Sequence, residues 1–171
     1  MERKLHEVDW KTFSDEVFTL FGTKTPLLTA GEPDHLNTMV IGWGGLGTLW
    51  GMPVCTVYVR PERYTYEFME QYDRFTVSVF DEAGRKATAL CGRESGRTMD
   101  KAAACGLHAA FASGGAPYFE EAELVLACRK LYAQDLSAEH LTEGEKVLPY
   151  YGASGGWHRM YIGAVEQVLR K

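Results

Sequence analysis

Apolar and polar residues alternate with a period of two in several parts of the chain, and this alternation predicts β-strands. One strand begins at Asn37, and further predicted strands cover residues 53–60, 74–80, 122–135 and 158–170. Gly163 lies inside the last of these segments, where a residue without a side chain predicts a kink or a bulge. Strands therefore dominate the predicted structure.

Apolar residues three or four positions apart predict short helices between the strands. Trp10, Phe13 and Val17 share one face of a predicted helix over residues 10–21, which Gly22 ends. Further predicted helices cover residues 62–72, 85–92 and 98–106. Clusters of glycine, proline and polar residues predict a turn at residues 31–35 and a loop at residues 44–53.

The order of these elements favours one architecture. Short helices join the strands without a regular βαβ alternation, so a closed or nearly closed antiparallel β-barrel fits better than a doubly wound sheet. We expect a mainly β fold with short helices. We also expect a single domain over residues 1–171, because the sequence has no linker, low-complexity tract or internal repeat.

The composition is typical of a globular protein and argues against nucleic-acid and membrane partners. Of the 171 residues, 46% are hydrophobic and 24% are charged, which is typical of globular proteins rather than disordered chains. The 18 Lys and Arg against 23 Asp and Glu give a net charge of −5, which argues against a nucleic-acid partner. No segment approaches the ~20 apolar residues of a membrane helix. The first ten residues lack the apolar core of a secretion signal, so we expect no membrane partner.

The cysteines indicate a reducing compartment. Cys55, Cys91, Cys105 and Cys128 form no CxxC pair, so they predict reduced thiols of a cytoplasmic protein rather than a disulfide framework. Because no two cysteine or histidine pairs have zinc-ligand spacing, the sequence predicts no metal site. We interpret Cys91, which precedes a glycine, as a small packing residue.

Three glycines match a dinucleotide-binding pattern without its structural context. Gly42, Gly44 and Gly47 have the spacing G-x-G-x-x-G after a predicted strand. In the dinucleotide fold the third glycine opens a helix, whereas here Gly51 and Pro53 would break one. The glycines therefore favour a loop in which backbone approaches a flat ligand or a partner chain.

Three segments combine residue types that bind a phosphate and a flat ring. Residues 37–43 contain a tryptophan and Asn37, the only asparagine, whose amide both donates and accepts hydrogen bonds. Residues 60–65 join a strand to a helix start, where backbone N–H groups favour a phosphate. Residues 91–101 add small residues and Lys101. Each segment alone also fits a core tryptophan, a solvated arginine face or a plain turn, but together they predict one ligand with both features.

The motifs N-T-x-x-x-x-W, R-x-x-R-Y-T and CG-x-x-SG-x-x-x-DK, followed by a downstream histidine, resemble a known family. It is the flavin reductase-like, flavoredoxin type of FMN-binding split-barrel proteins, and the resemblance covers residues 37–161. It implies a Greek-key antiparallel split barrel, non-covalently bound FMN, and a homodimer with the flavin near the subunit interface.

The resemblance also implies site residues. Thr65 would hold the phosphate and Trp43 would lie near the flavin ring. The cofactor-binding residues expected in this way are Asn37, Thr38, Met39, Val40, Trp43, Arg60, Tyr64, Thr65, Ser95, Gly96, Lys101 and His140. Without the resemblance, His140 is better interpreted as a surface residue of a helix or loop. The residue that covers the ring is left open between His158 and Tyr161, where the family often has an aromatic side chain.

No acid–base or nucleophilic triad is recognisable, so we expect the redox chemistry to take place on the flavin. The first hypothesis is an FMN-dependent reductase that uses NAD(P)H as co-substrate. The second is a flavoredoxin-like electron carrier that accepts electrons from a protein donor such as ferredoxin. A third is a split-barrel protein that has lost FMN and binds another ring-shaped ligand.

Overall fold

The computed structural model describes residues 4–152 and 156–171. Its strands are β1 His6–Val8, β2 Leu27–Glu32, β3 His35–Val40, β4 Gly44–Leu49, β5 Met52–Val59, β6 Arg74–Val79, β7 Ala109–Phe111, β8 Pro117–Phe119, β9 Leu124–Asp135 and β10 Arg159–Arg170. Its α-helices are α1 Val17–Gly22, α2 Tyr64–Gln71, α3 Arg85–Arg93, α4 Lys101–Cys105 and α5 Gly144–Val147. Two 3-10 helices cover Ala138–His140 and Leu148–Tyr150.

One antiparallel sheet forms the frame of the molecule. Its strands follow the order β3-β2-β6-β9-β10-β5-β4. The long β10 pairs with β9 on one side and with both β5 and β1 on the other. The strands β7 and β8 form a separate hairpin. The mainly β, antiparallel fold expected from the sequence is confirmed.

The predicted irregularity at Gly163 is also confirmed. The pairing of β10 with β9 shifts register between Ile162 and Gly163. A Cβ at position 163 would lie 2.7 Å from the ring of Phe75 and 2.9 Å from the Cβ of Cys128. Since atoms cannot approach so closely, a residue without a side chain fits this position of β10, opposite the extra residue Leu131 of β9.

The core lies between the curved sheet and helix α2. Phe75 and Val77 of β6 and Leu126 of β9 are fully or almost fully buried, as the period-two alternation of these predicted strands leads us to expect. Phe68 and Met69 of α2 pack against the same cluster. Burying each such side chain contributes about 1.5–3 kcal/mol to stability, so the position of α2 on the sheet is strongly determined.

The prediction of a loop over residues 44–53 is wrong, because β4 and β5 form a hairpin there. The turn residues Trp50 and Gly51 both have positive φ, 51° and 73°, which suits the twist of a tight hairpin. Packing requires a glycine at position 44 of β4, because a Cβ there would lie 2.3 Å from the ring of Phe21. Gly44 therefore allows close approach to α1, whereas a Cβ on Gly45 or Gly47 would meet nothing within 4 Å.

The predicted helix over residues 10–21 is too long. Only Val17–Gly22 is helical, while residues 9–12 form a turn in which the carboxylate of Asp9 accepts from the N–H of Lys11. The hydroxyl of Thr12 donates to the carbonyl of Asp9. These local bonds compete with helix formation in the first half of the segment.

Three helices pack at one edge of the sheet. Strand β3 is the terminal strand there, and α2, α3 and α4 all pack against it. Consequently the residues of all three sequence motifs meet along β3. No helix within the described residues has the length and apolar character needed to cross a membrane.

Candidate functional site

Two adjoining cavities follow β3, and we refer to them together as the β3 cleft. The larger has a volume of about 380 Å³ and the smaller about 150 Å³. They share Met39, Val40 and Arg63 in their walls. The larger cavity leads to Lys101 and the smaller to Trp43, so the cleft has a polar end and an aromatic end.

The polar end is organised around Asn37. Its amide Nδ2 donates a 2.8 Å hydrogen bond to Oγ1 of Thr65, and both side chains are buried. This bond links β3 to the first turn of α2. The other amide atom, Oδ1, faces Gly96 so closely that a Cβ on Gly96 would lie 1.9 Å from it. The backbone of residue 96 therefore forms a wall that only glycine can provide.

Lys101 places a buried positive charge at the same end. Its side chain is only 5% exposed, and Nζ donates a 3.2 Å hydrogen bond to the carbonyl of Cys91. Burial lowers the pKa of Lys101, and the nearby Arg63 lowers it further. Among the ion pairs within residues 4–152 and 156–171, none involves Lys101. Because an ammonium has three N–H donors, Lys101 has donor capacity left for an anion.

Helix α2 directs further donors to this end of the cleft. Thr65 lies in its first turn, and the first N–H groups of an α-helix have no acceptor within the helix. The helix dipole adds partial positive charge at the same point. Lys101, the start of α2 and the hydroxyl of Thr65 together favour a phosphate group.

Arg97 holds the loop that contains Ser95 and Gly96. Its guanidinium lies 4.5 Å above the ring of Tyr64 and forms an ion pair with Glu67. Both partners belong to the first turn of α2. Arg97 therefore positions the glycine wall against Asn37.

The aromatic end consists of rings from distant parts of the chain. The ring centroid of Trp43 lies 4.6 Å from that of His158 and 5.6 Å from that of Tyr150. Nδ1 of His158 is 3.2 Å from the hydroxyl of Tyr151, which stacks on Trp157 at 4.0 Å. Such a group of rings offers a flat, largely apolar wall to a ligand.

His158 is uncharged at neutral pH. Burial lowers its pKa to about 4, and the positive charges of Arg60 and Arg63 add to the effect against the opposing carboxylate of Glu62. Arg60 also donates a 2.5 Å hydrogen bond to the carbonyl of Tyr150. The arginine thus fixes the segment that carries the tyrosine rings while keeping the histidine neutral.

The structure brings together most of the residues expected from the sequence. Those that line the cleft are Asn37, Met39, Val40, Trp43, Arg60, Tyr64, Thr65, Ser95, Gly96 and Lys101. Thr38 lines neither of these two cavities but lines an adjacent one together with Asn37 and Lys101, and its hydroxyl lies 2.9 Å from that of Thr29 and 3.2 Å from the carbonyl of Leu28. His140 lies in an exposed 3-10 helix outside both cavities.

Of the two candidates for the ring-covering residue, only His158 lines the cleft. Tyr161 is fully buried, and its hydroxyl donates a 2.6 Å hydrogen bond to Glu70. Sequence reasoning assigned no role in the cleft to Tyr151, Trp157 or Arg97. Arg97 falls on a variable position of the third motif, and the aromatic residues near position 150 lie outside all three motifs, so the motifs did not indicate them.

Solved structures with the same fold include several flavin-binding proteins. Flavoredoxin from Methanosarcina acetivorans matches with a TM-score of 0.70 and 20% identity, over 96% of this chain and 76% of that one. An FMN-binding protein from Thermus thermophilus, with bound 1-cyclohex-2-enone, matches with a TM-score of 0.68 and 18% identity, over 95% and 74%. An NADH:FAD oxidoreductase from Streptomyces globisporus matches with a TM-score of 0.63 and 15% identity, over 86% and 76%.

These likenesses confirm the split-barrel fold. A search of curated proteins found no match. The family model described as "Flavin reductase like domain" matches residues 18–171, which is almost the whole chain and includes every residue of the β3 cleft discussed above. The chain therefore belongs to the flavin reductase-like domain family.

Proposed function

We propose that the protein binds FMN in the β3 cleft without a covalent bond and acts as an FMN-dependent NAD(P)H oxidoreductase. The observation that carries this proposal is the buried Lys101, which within the described residues donates to the carbonyl of Cys91 and which lines the cleft together with Thr65, Asn37 and Gly96. A phosphate dianion would offset the cost of burying the ammonium. Family membership and the FMN-binding protein of the same fold support the same cofactor.

The rest of the cleft fits the other parts of FMN. Trp43 and the neutral His158 would lie beside the ring, where apolar contact is favourable and no charge has to be desolvated. Met39 and Val40 belong to both cavities and would contact the part of the cofactor between phosphate and ring. Bound FMN supplies a ring that accepts a hydride and passes electrons on. The chain's own residues would bind it, orient it and exclude water.

A flavin titration of the flavin-free protein tests the proposal. We expect FMN to bind with quenching of its fluorescence, and Lys101→Met to weaken binding about tenfold or more, because a hydrogen bond to a charged group contributes about 1.5–3 kcal/mol. Lys146→Met is the matched control, since Lys146 is exposed and pairs with Glu143. The control should bind FMN like the wild type.

Two results would contradict the proposal. One is the absence of FMN binding by a folded wild-type protein, which would favour a split-barrel protein with a different ligand. The other is an equal affinity of the Lys101 and Lys146 variants. Circular dichroism of both flavin-free variants checks that they are folded.

A flavoredoxin-like carrier is the second candidate, favoured by the likeness to a flavoredoxin, while the NADH:FAD oxidoreductase of the same fold favours the reductase. Anaerobic addition of NADH or NADPH separates the two. As a reductase, the FMN-loaded protein should lose its visible flavin absorbance within seconds. If the absorbance persists with both nucleotides but is lost with reduced ferredoxin, the protein is a carrier.

We also propose a homodimer. Exposed aromatic residues lie close to the cleft, including Trp43 with 40% and Tyr150 with 62% exposure. Large exposed apolar patches are typical of interfaces. In a dimer, a second subunit could bring His140 to the flavin, a contact that the cavities of one subunit do not contain.

The cytoplasmic location expected from the cysteines stays a prediction.

A further inference from the structure

Two cysteines meet beside the cleft. Cys91 in α3 and Cys105 at the end of α4 place their Sγ atoms 3.8 Å apart, and neither is in a disulfide. The S–S bond of a disulfide is about 2.05 Å long, so the two atoms would have to approach by roughly 1.8 Å. Because α3 and α4 pack directly against each other, a small shift of two short helices is enough.

The two thiols differ in their access to solvent. Cys91 is only 2% exposed, whereas Cys105 is partly exposed. Burial raises the pKa of Cys91 to about 12, with a further contribution from the neighbouring Cys105. An oxidant dissolved in water therefore reaches Cys105 first, while burial shields Cys91 from it.

We infer that Cys91 and Cys105 are a redox modification site, which forms a reversible disulfide when the protein meets a peroxide. Sγ of Cys105 attacks one oxygen of hydrogen peroxide, the O–O bond breaks, and water leaves with the thiol proton. Sγ of Cys91 then attacks the sulfenic acid, the S–O bond breaks, and a second water leaves with the proton of Cys91. The two thiols lose two electrons in total, and these reduce one peroxide to two waters.

The position of the pair connects this site to the cleft. The carbonyl of Cys91 accepts the hydrogen bond of Lys101, and Cys105 lies one helical turn after Lys101 in α4. The disulfide would therefore join the two elements that hold the buried ammonium. We expect oxidation to weaken FMN binding by a factor of about three or more. This second part rests on the proposed function, whereas the disulfide itself does not.

Peptide mapping of the full-length protein tests the modification site, with and without FMN. After treatment with hydrogen peroxide, the remaining thiols are alkylated and the protein is digested with trypsin, which cleaves at Arg93, Arg97 and Lys101 between the two cysteines. We expect a linked pair of peptides containing Cys91 and Cys105, lighter than the two thiol peptides by two hydrogen atoms. Dithiothreitol should restore both thiols.

Cys55 and Cys128 provide an internal control, because they lie close together but are 0% and 1% exposed. We expect them to remain thiols that are alkylated only after denaturation. In Cys91→Ser, Cys105 should accumulate as a sulfenic acid that a 1,3-dione reagent traps. In Cys105→Ser, Cys91 should remain a thiol.

Two results would overturn the modification site: alkylation of both Cys91 and Cys105 without any linked peptide, or a Cys55–Cys128 link that forms first. An unchanged FMN affinity after complete oxidation would overturn only the connection to the cleft. Because the mapping needs no flavin, failure of FMN binding leaves the result on the disulfide interpretable.

Discussion

At the scale of single residues, the environment of Lys101 explains why the cleft suits an anion. A buried ammonium with one carbonyl partner has exchanged water for a poorer set of acceptors, and its lowered pKa expresses that cost. A bound anion supplies the missing acceptors and favours the charged form. The same residue therefore destabilises the empty protein and stabilises the complex, which is a common arrangement at binding sites.

Gly96 gives a second residue-scale prediction. In Gly96→Ala the new Cβ would lie 1.9 Å from Oδ1 of Asn37, so the amide or the loop has to move. We expect the free energy of unfolding to fall by about 1–3 kcal/mol, as for other overpacked sites. FMN binding should weaken about tenfold or more, a loss of roughly 1.4 kcal/mol. Urea unfolding and flavin titration measure the two effects.

Gly92→Ala is the matched control for this change. Gly92 also lines the cleft, but its Cβ would meet Cγ2 of Val40 at 3.4 Å, which is an ordinary contact. Because Gly92 lies in helix α3, alanine there should raise the free energy of unfolding by up to about 1 kcal/mol. Equal losses of FMN affinity in both variants would mean that the closeness of Gly96 to Asn37 has no special role.

The sequence motifs predicted which strand and helix contribute residues to the cleft, but not every contact that these residues make. Asn37 and Lys101 line the cleft, since the motif spacing identifies the strand and helix that carry them. Thr38, the neighbour of Asn37, bonds to Thr29 and lines an adjacent cavity rather than the cleft itself. The 3.8 Å contact between Cys91 and Cys105 depends on how α3 and α4 pack, and a sequence pattern does not contain that information.

At the scale of elements, the hydrophobic pattern correctly predicted the strands and helices that depend on local sequence. The strands around Phe75 and Leu126 follow from the alternation of apolar and polar residues, and α2 follows from aromatic residues at helical spacing. β4 was mistaken for a loop because glycine usually weakens a strand. There, the packing of Phe21 against Gly44 outweighs the propensity of the residue itself. Local hydrogen bonds to Asp9 compete with the first half of the predicted first helix, which is therefore only Val17–Gly22.

Elements far apart in the chain position helix α2 beside the cleft. Arg159 of β10 pairs with Asp135 of β9 and with Glu70 of α2. Glu70 also accepts the hydrogen bond of Tyr161. This network ties the end of α2 to the two longest strands, while Arg97 ties its beginning to the loop of residues 94–98. Both ends of the helix that carries Thr65 are therefore held in place.

At the scale of the whole molecule, the barrel core and the cleft are separate regions, and the aromatic surface beside the cleft remains uncovered. Trp50 is 60% exposed and contacts Tyr132 edge-on, with ring centroids 6.4 Å apart. Residues 42–51 and 149–157 also contribute the exposed Trp43 and Tyr150. Aromatic residues of this kind are enriched among those that dominate binding at protein interfaces.

We therefore expect light scattering at micromolar concentration to give twice the 19.1 kDa mass of one chain. Trp50→Glu should shift the protein toward the monomer, because loss of an aromatic residue at an interface often costs about 2 kcal/mol or more, roughly a thirtyfold loss of affinity. Phe111→Glu is the control, since Phe111 is 37% exposed but lies on the separate β7–β8 hairpin. A monomeric wild type would contradict the dimer. A dimer that dissociates with Phe111→Glu but not with Trp50→Glu would place the interface on another surface. If the dimer forms through residues 42–51, the monomeric variant should also bind FMN more weakly, because Trp43 belongs to both the surface and the cleft.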